Sequence, residues 1–166
     1  MKIVSKFSII IGVITMLILT SCTIKDETGP GEVRWDRVIC ERCLMACSDH
    51  FYTGQIRGGE EGKRTKLYYF DDIGCAVLWL ENQTWKDNSR TEMWIPEYKS
   101  GEWIDAFDAS YVKGQITPMD FGLGAVTASS DETISYNEAI DFIHARFEFK
   151  LKKKMNKHKK MGHKHN

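Results

Sequence analysis

The chain predicts an α+β protein made of two small modules, each ordered strand, strand, helix, strand, and three observations carry that expectation. Short runs rich in aromatic and β-branched residues alternate with Gly- and Asp-rich breaks, the pattern of short strands. Two stretches place apolar residues at helical spacing behind polar caps: Ile73, Ala76, Val77 and Leu80, and later Ala139, Ile140, Phe142 and Ile143. The order of these runs recurs in the two halves although the sequence itself does not repeat. At 166 residues the length accommodates two such ββαβ modules together with a leader and a tail.

The leader comes first. Met1-Lys2-Ile3-Val4-Ser5-Lys6 is positively charged, an apolar run follows from Phe7 to Leu19, and Leu19-Thr20-Ser21-Cys22 ends it. A basic start, a short apolar run and small residues before a cut describe a secretory signal. The run is too short and wrongly flanked for a comfortable membrane span. Leu-Thr-Ser-Cys resembles the bacterial lipobox, so Cys22 is expected to be acylated, by palmitate among other chains, and to become the mature N-terminus. Several acyl chains on one residue anchor stably where one gives only marginal binding. Residues 22–37, with Gly29-Pro30-Gly31 among polar neighbours, read as the lipidated tether.

The first module is placed at residues 38–99. His50 to Arg57 reads as a strand closed by Gly58-Gly59, and the charged, Gly-rich stretch to Lys66 as a hairpin loop. Leu67-Tyr68-Tyr69-Phe70 is the next strand. Asp71-Asp72 then sit where a helix N-cap and first turn favour negative side chains, and the helix runs to about Glu81. Cys75 falls within it, and its simplest reading is a small buried hydrophobe. Thr84 to Ser89 reads as loop and Met93 to Tyr98 as a strand in which Pro96 marks an edge or a bulge.

The second module is placed at residues 100–151. Trp103-Ile104-Asp105-Ala106, Tyr111-Val112 and Gly122 to Ala128 supply strands, and Ser129-Ser130-Asp131-Glu132 is expected to cap the second helix. Phe147-Glu148-Phe149-Lys150-Leu151 alternates apolar and polar, as a half-buried strand does. Residues 152–166 are lysine-rich without apolar periodicity and read as a disordered basic tail. Met155, His158, Met161, His163 and His165 within it are candidate auxiliary metal donors.

The formal net charge of +0 hides a division. Of 23 basic residues, Lys2 and Lys6 fall in the leader and eight lysines lie between Lys150 and Lys164; all 23 acidic residues lie in between. An acidic body with a basic tail is not the profile of a nucleic-acid-binding protein. It suits cation handling and docking to charged surfaces.

The chemistry concentrates in Cys40-Glu41-Arg42-Cys43-Leu44-Met45-Ala46-Cys47. In an exported protein, thiols usually pair as disulfides, and those kept reduced serve redox or metal chemistry. Thiolates with a thioether favour a soft ion, Cu(I) ahead of zinc, because methionine is a poor zinc ligand. Zinc would look for a second C-x-x-C or an H-x-x-x-H to close a tetrahedron, and His50 and Cys75 are the only nearby candidates. A redox C-x-x-C usually opens a helix after a strand, whereas this one follows a tether. In the second half, Thr117-Pro118-Met119 could present a proline-fixed thioether to a site shared between the halves, or Met119 could simply pack there.

These segments together are familiar. Cys40-Glu41-Arg42-Cys43-x-Met45, Gln55-Ile56-Arg57-Gly58-Gly59, Phe70-Asp71-Asp72-Ile73-Gly74-Cys75, Gly101-Glu102-Trp103-Ile104-Asp105-Ala106, Tyr111-Val112 and Thr117-Pro118-Met119 resemble, in this order, the NosL family. The resemblance implies two ββαβ modules like part of the organomercurial lyase fold. It also implies a Cu(I)-binding chaperone lipoprotein rather than an enzyme, held at the extracytoplasmic face of the outer or cytoplasmic membrane. Such a protein passes copper to nitrous oxide reductase with an ABC-type maturation complex, for metal-centre assembly in denitrification. The family's metal pair corresponds to Cys43 and Met45, with Met119 a third ligand and Cys40 assisting. Leu44 stands where the family commonly has glycine, and Cys47 is an additional thiol. The alternative function is an extracytoplasmic thiol enzyme, a disulfide reductase or an organomercurial-lyase-like protein, using the C-x-x-C pair.

Overall fold

In the computed structural model, which describes residues 27–162, two small antiparallel sheets and two helices form a mixed α+β protein around one core. The leader and Cys22 lie outside the described residues. The elements are β1 (Gly54–Gly58), β2 (Lys66–Phe70), α1 (Ile73–Leu80), β3 (Glu92–Pro96), β4 (Trp103–Asp105), β5 (Ser110–Lys113), β6 (Leu123–Val126), β7 (Thr133–Ile134) and α2 (Tyr136–Gly162). The first sheet has the order β2-β1-β3-β4 and the second β6-β5-β7. No helix among the described residues is long and apolar enough to cross a membrane.

β1 is central and buried along its length, pairing Ile56 with Tyr68 on one side and with Met93 on the other. The strand expected from His50 begins only at Gly54, because residues before it turn, with Thr53 N donating to Asp49 O at 3.2 Å. Pro96 is tolerated in the interior strand β3 because the β1 pairing ends at Trp94, leaving Pro96 opposite only Trp103 of β4. The stretch expected as a tether is fastened to this sheet from Glu27 on, where its carboxylate pairs with Arg57 of β1 at 3.2 Å. Gly31 N and O exchange bonds with the Gln55 amide at 2.7 and 2.9 Å, and Gly29 N donates to Glu92 Oε2 at 2.6 Å.

The halves are joined by main chain and by packing. Beyond β3, Glu97 bridges Ala125 of β6 in parallel, and Tyr98 N donates to Ala125 O at 2.9 Å. The core is continuous across the join, with Ile56, Phe70, Ile73 and Met93 from one half and Tyr111, Phe121, Leu123 and Ile143 from the other. Gly74 permits the closest approach, since a Cβ there would stand 2.2 Å from Phe121 Cγ.

The second half departs from the expected order in two places. Ser129–Glu132 do not cap the helix: the chain turns there, pairs β7 with β5, and starts α2 one residue after Ser135. Ser135 and Glu138 form a capping box, with Ser135 N donating to Glu138 Oε2 at 2.8 Å and Glu138 N to Ser135 Oγ at 3.4 Å. The strand expected over Phe147–Leu151 is helix instead. Its period-two alternation is incidental: Phe147 continues the helical stripe of Tyr136, Ala139, Ile140 and Ile143 onto the core, while Phe149 and Leu151 are exposed. The lysine-rich segment expected to be disordered carries the same helix on to Gly162, its side chains exposed from Leu151 through Lys159. Lysine is a good helix former, and neither Gly nor Pro interrupts the run before Gly162.

Candidate metal centre

A hairpin-like loop presents the first two thiols. Ile39 and Ala46 form an antiparallel bridge, Cys40 N donates to Met45 O at 2.8 Å, and Leu44 N donates back to Cys40 O at 3.0 Å. Leu44 closes the turn in the left-handed region at φ 64°. Glu41 N donates to Tyr69 O at 3.0 Å, which ties the loop to the end of β2. The chain leaves β2 at Phe70 and enters α1 through Asp71 and Asp72, so Asp71 and the first-turn residue Cys75 come to face the loop.

The result is a four-residue cluster. One donor atom from each of Cys40, Cys43, Asp71 and Cys75 lies within 4.8 Å of every other, and this group could hold a metal ion. Cys40, Asp71 and Cys75 are buried, while Cys43 is only half-buried and gives the cluster its way to the surface. All four described cysteines, Cys47 among them, are free thiols. The Cys43 thiol donates to Asp71 Oδ2 at 3.2 Å, and Cys43 N reaches Cys40 Sγ at 3.5 Å.

These contacts divide the protons unequally. Cys40 is pulled down to about 4, first by the hydrogen bond from the Cys75 thiol and then by nearby backbone N–H groups, against the effect of burial. Its charge and the same burial act in reverse on the neighbours: Cys43 is pushed up to about 12, chiefly by burial, and Cys75 is raised, first through its bond to Cys40. Asp71 is raised to about 6, by burial and then by the Cys40 charge. Above about pH 6 an anionic Cys40 sulfur and the Asp71 carboxylate sit beside the protonated Cys43 and Cys75 thiols, and a cation entering there would displace the thiol protons.

Of the residues expected at the site, Cys40 and Cys43 are in the cluster. Met45 lies at the loop's end beside them, 46 % exposed. Met119 is half-buried against the core on a loop anchored next to the cluster: the buried Asp72 carboxylate accepts from Thr117 Oγ1 at 2.5 Å and Met119 N at 3.1 Å. That carboxylate also caps α1 through Gly74 N at 3.0 Å, so one side chain joins Phe70–Cys75 to Thr117–Met119. His50 is not in the cluster; its ring stacks on Trp35 at 3.9 Å. Cys47 is buried outside it, its thiol pushed up to about 12 by burial.

Asp71 is the member that the sequence does not point to, since it reads as part of a helix cap. Cys75 reads first as a small hydrophobe, although it is one of the two nearby candidates for closing a zinc tetrahedron, and the cluster contains it. The available signal is position: Asp71 stands just before the N-cap Asp72 and Cys75 in the first turn, so both lie at the start of the helix. The cap itself is Asp72, which leaves Asp71 free to face the thiols.

Helix α2 braces both loops from outside. The Arg42 guanidinium lies over the Phe147 ring at 4.8 Å, Arg146 Nη2 donates to Asp120 Oδ1 at 2.8 Å, and Lys150 Nζ donates to Met119 O while lying 4.0 Å from the Phe121 ring centre. Comparison with protein-family models, with curated proteins and with solved structures returns no match, so what the centre offers is read from its donors.

Proposed function

We propose that this chain is a NosL-type copper carrier: an exported lipoprotein, anchored through Cys22, that holds Cu(I) and delivers it to nitrous oxide reductase with that enzyme's ABC-type maturation complex. The observation that carries the reading is the placement of Cys43, half-buried at the mouth of a thiol cluster, with the exposed thioether of Met45 two residues on. Cys43 thiolate and Met45 thioether would hold the ion, Met119 completing a low-coordinate site and Cys40 assisting from beneath. A partner's thiolate or imidazole would replace the labile thioether first, so release needs no redox step. The ordered motifs support the family, and the element order β1, β2, α1, β3 is that of its ββαβ module.

A carrier is favoured over the thiol-enzyme alternative by the order of the thiols. A reactive cysteine is both accessible and of low pKa. Here the acidic thiol, Cys40, is 0 % exposed, and the accessible one, Cys43, is held protonated. Met45→Ala is expected to weaken Cu(I) retention in competition with a Cu(I) chelator while leaving the circular dichroism unchanged; equal retention would remove Met45 from the site. Insulin reduction with turnover, in place of stoichiometric Cu(I) uptake, would establish the enzyme instead.

A further inference from the structure

Asp71 does not fit a site made only for Cu(I). It is 1 % exposed, and while its Oδ2 accepts from the Cys43 thiol at 3.2 Å, its Oδ1 is buried with no hydrogen-bond partner. Buried carboxylate oxygens are normally satisfied, and one left bare amid thiols is where a cation would sit. Oxygen is a hard donor with little affinity for Cu(I) but a regular ligand of zinc, beside thiolates.

We infer that Cys40, Cys43, Asp71 and Cys75 form a second, inner metal seat for a four-coordinate divalent ion of the zinc class, and that it shares Cys43 with the copper-binding rim. Three sulfurs and an oxygen converge from two directions, the Cys40–Cys43 loop and the start of α1, as a tetrahedral ion requires. Zinc–sulfur bonds of about 2.3 Å put neighbouring donors about 3.8 Å apart. The present spread of up to 4.8 Å therefore closes with a modest inward shift of side chains. Charge points the same way: up to four anionic donors in a buried pocket ask for more than one positive charge. Three of the four are at most 1 % exposed, which is the closed surrounding of a retained ion and unlike the half-exposed Cys43 and Met45.

Sharing Cys43 makes the two seats exclusive. A divalent ion inside draws the Cys43 sulfur away from Met45, and Cu(I) at the rim takes one ligand from the inner four. This exclusion rests on the copper reading above; the inner seat does not.

The test is X-ray absorption of the reduced full-length chain loaded with one equivalent of Zn²⁺. Three sulfurs near 2.3 Å and one oxygen near 2.0–2.2 Å are expected; a shell with fewer than three sulfurs, or without oxygen, overturns the seat, and no substitution is needed to see it. Asp71→Asn should lower Zn²⁺ affinity against a chromophoric chelator by about 10–100-fold, since loss of even an outer-shell partner costs a metal site that much. Met45→Leu should leave Zn²⁺ affinity unchanged. Parental affinity in an Asp71→Asn protein of parental circular dichroism counts against Asp71. Titrating Cu(I) into the zinc-loaded protein should release Zn²⁺ in step with copper uptake, and a stable complex holding both ions overturns the sharing. Failure of the copper reading looks different: a normal zinc shell with Cu(I) retention indifferent to Met45→Ala.

Discussion

Leu44 is the residue whose backbone and side chain disagree. It sits at φ 64° with 75 % of its surface exposed, so it carries the strain of a left-handed position without burying its side chain in return. That conformation costs an L-residue about 1–2 kcal/mol, and the loop keeps it because Leu44 N must reach Cys40 O to close the turn. Leu44→Gly removes the steric cost but adds about 0.5–1 kcal/mol of chain entropy to be lost on folding. The expected net effect is stabilisation by up to about 1.5 kcal/mol, read as a higher urea midpoint of the reduced, metal-free protein with unchanged slope. A lower midpoint would mean that the leucine side chain holds the loop. The sequence drew attention to this position because a family that the chain resembles commonly has glycine there; the physical reason, a positive φ, is visible only in the folded loop.

At the scale of elements, α2 is two things in one helix. From Tyr136 to Lys150 it covers the core and braces both site loops; from Leu151 to Lys159 every side chain is exposed. Nothing apolar is lost to water if the outer turns are removed. A chain ending after Leu151 is therefore expected to melt within about 0.5 kcal/mol of the parent, as changes on exposed surface do, and to match the full-length chain in the proposed Zn²⁺ and Cu(I) titrations. A large loss of stability would show that the lysine-bearing turns pack on something. The Phe147–Leu151 strand was misread for a related reason. Three apolar residues at alternate positions fit a strand over five residues, but only Phe147 reaches the core, along a stripe that begins eleven residues earlier at Tyr136. The longer period is present in the sequence, and it carries Phe147 into the helix.

For the whole molecule, the unequal protons of the cluster translate into a pH dependence of stability. Cys40 has its proton in the unfolded chain up to its ordinary value of 9.0 but has lost it in the fold above about 4. Between those values the unfolded state binds the extra proton, so Cys40 makes stability rise with pH. Asp71 acts oppositely from its ordinary 3.8 up to about 6, where the fold retains a proton that the unfolded chain has released. The two offset each other below about 6. Above 9.0, Cys43 and Cys47 keep protons in the fold up to about 12, and stability falls. The melting temperature of the reduced, metal-free protein is thus expected to rise from about pH 6 toward a maximum near about pH 9, and to drop beyond it. Cys40→Ser should flatten the rise. A melting temperature flat or falling from pH 6 to 9 in the parent would contradict a buried Cys40 thiolate.

The sequence by itself determined the class of the fold, most of its strands, the first helix and the loop that carries Cys40 and Cys43, because hydrophobic period, turn residues and sulfur density are local properties. It did not determine which side chains meet. Asp71 and Cys75 join the thiols only because β2 ends beside the loop through Glu41 and Tyr69, and because Asp72 takes the capping role and turns its neighbour toward the sulfur. His50, near in sequence, is held off by Trp35. Which donors converge is settled by packing between segments distant along the chain, and no local pattern encodes it.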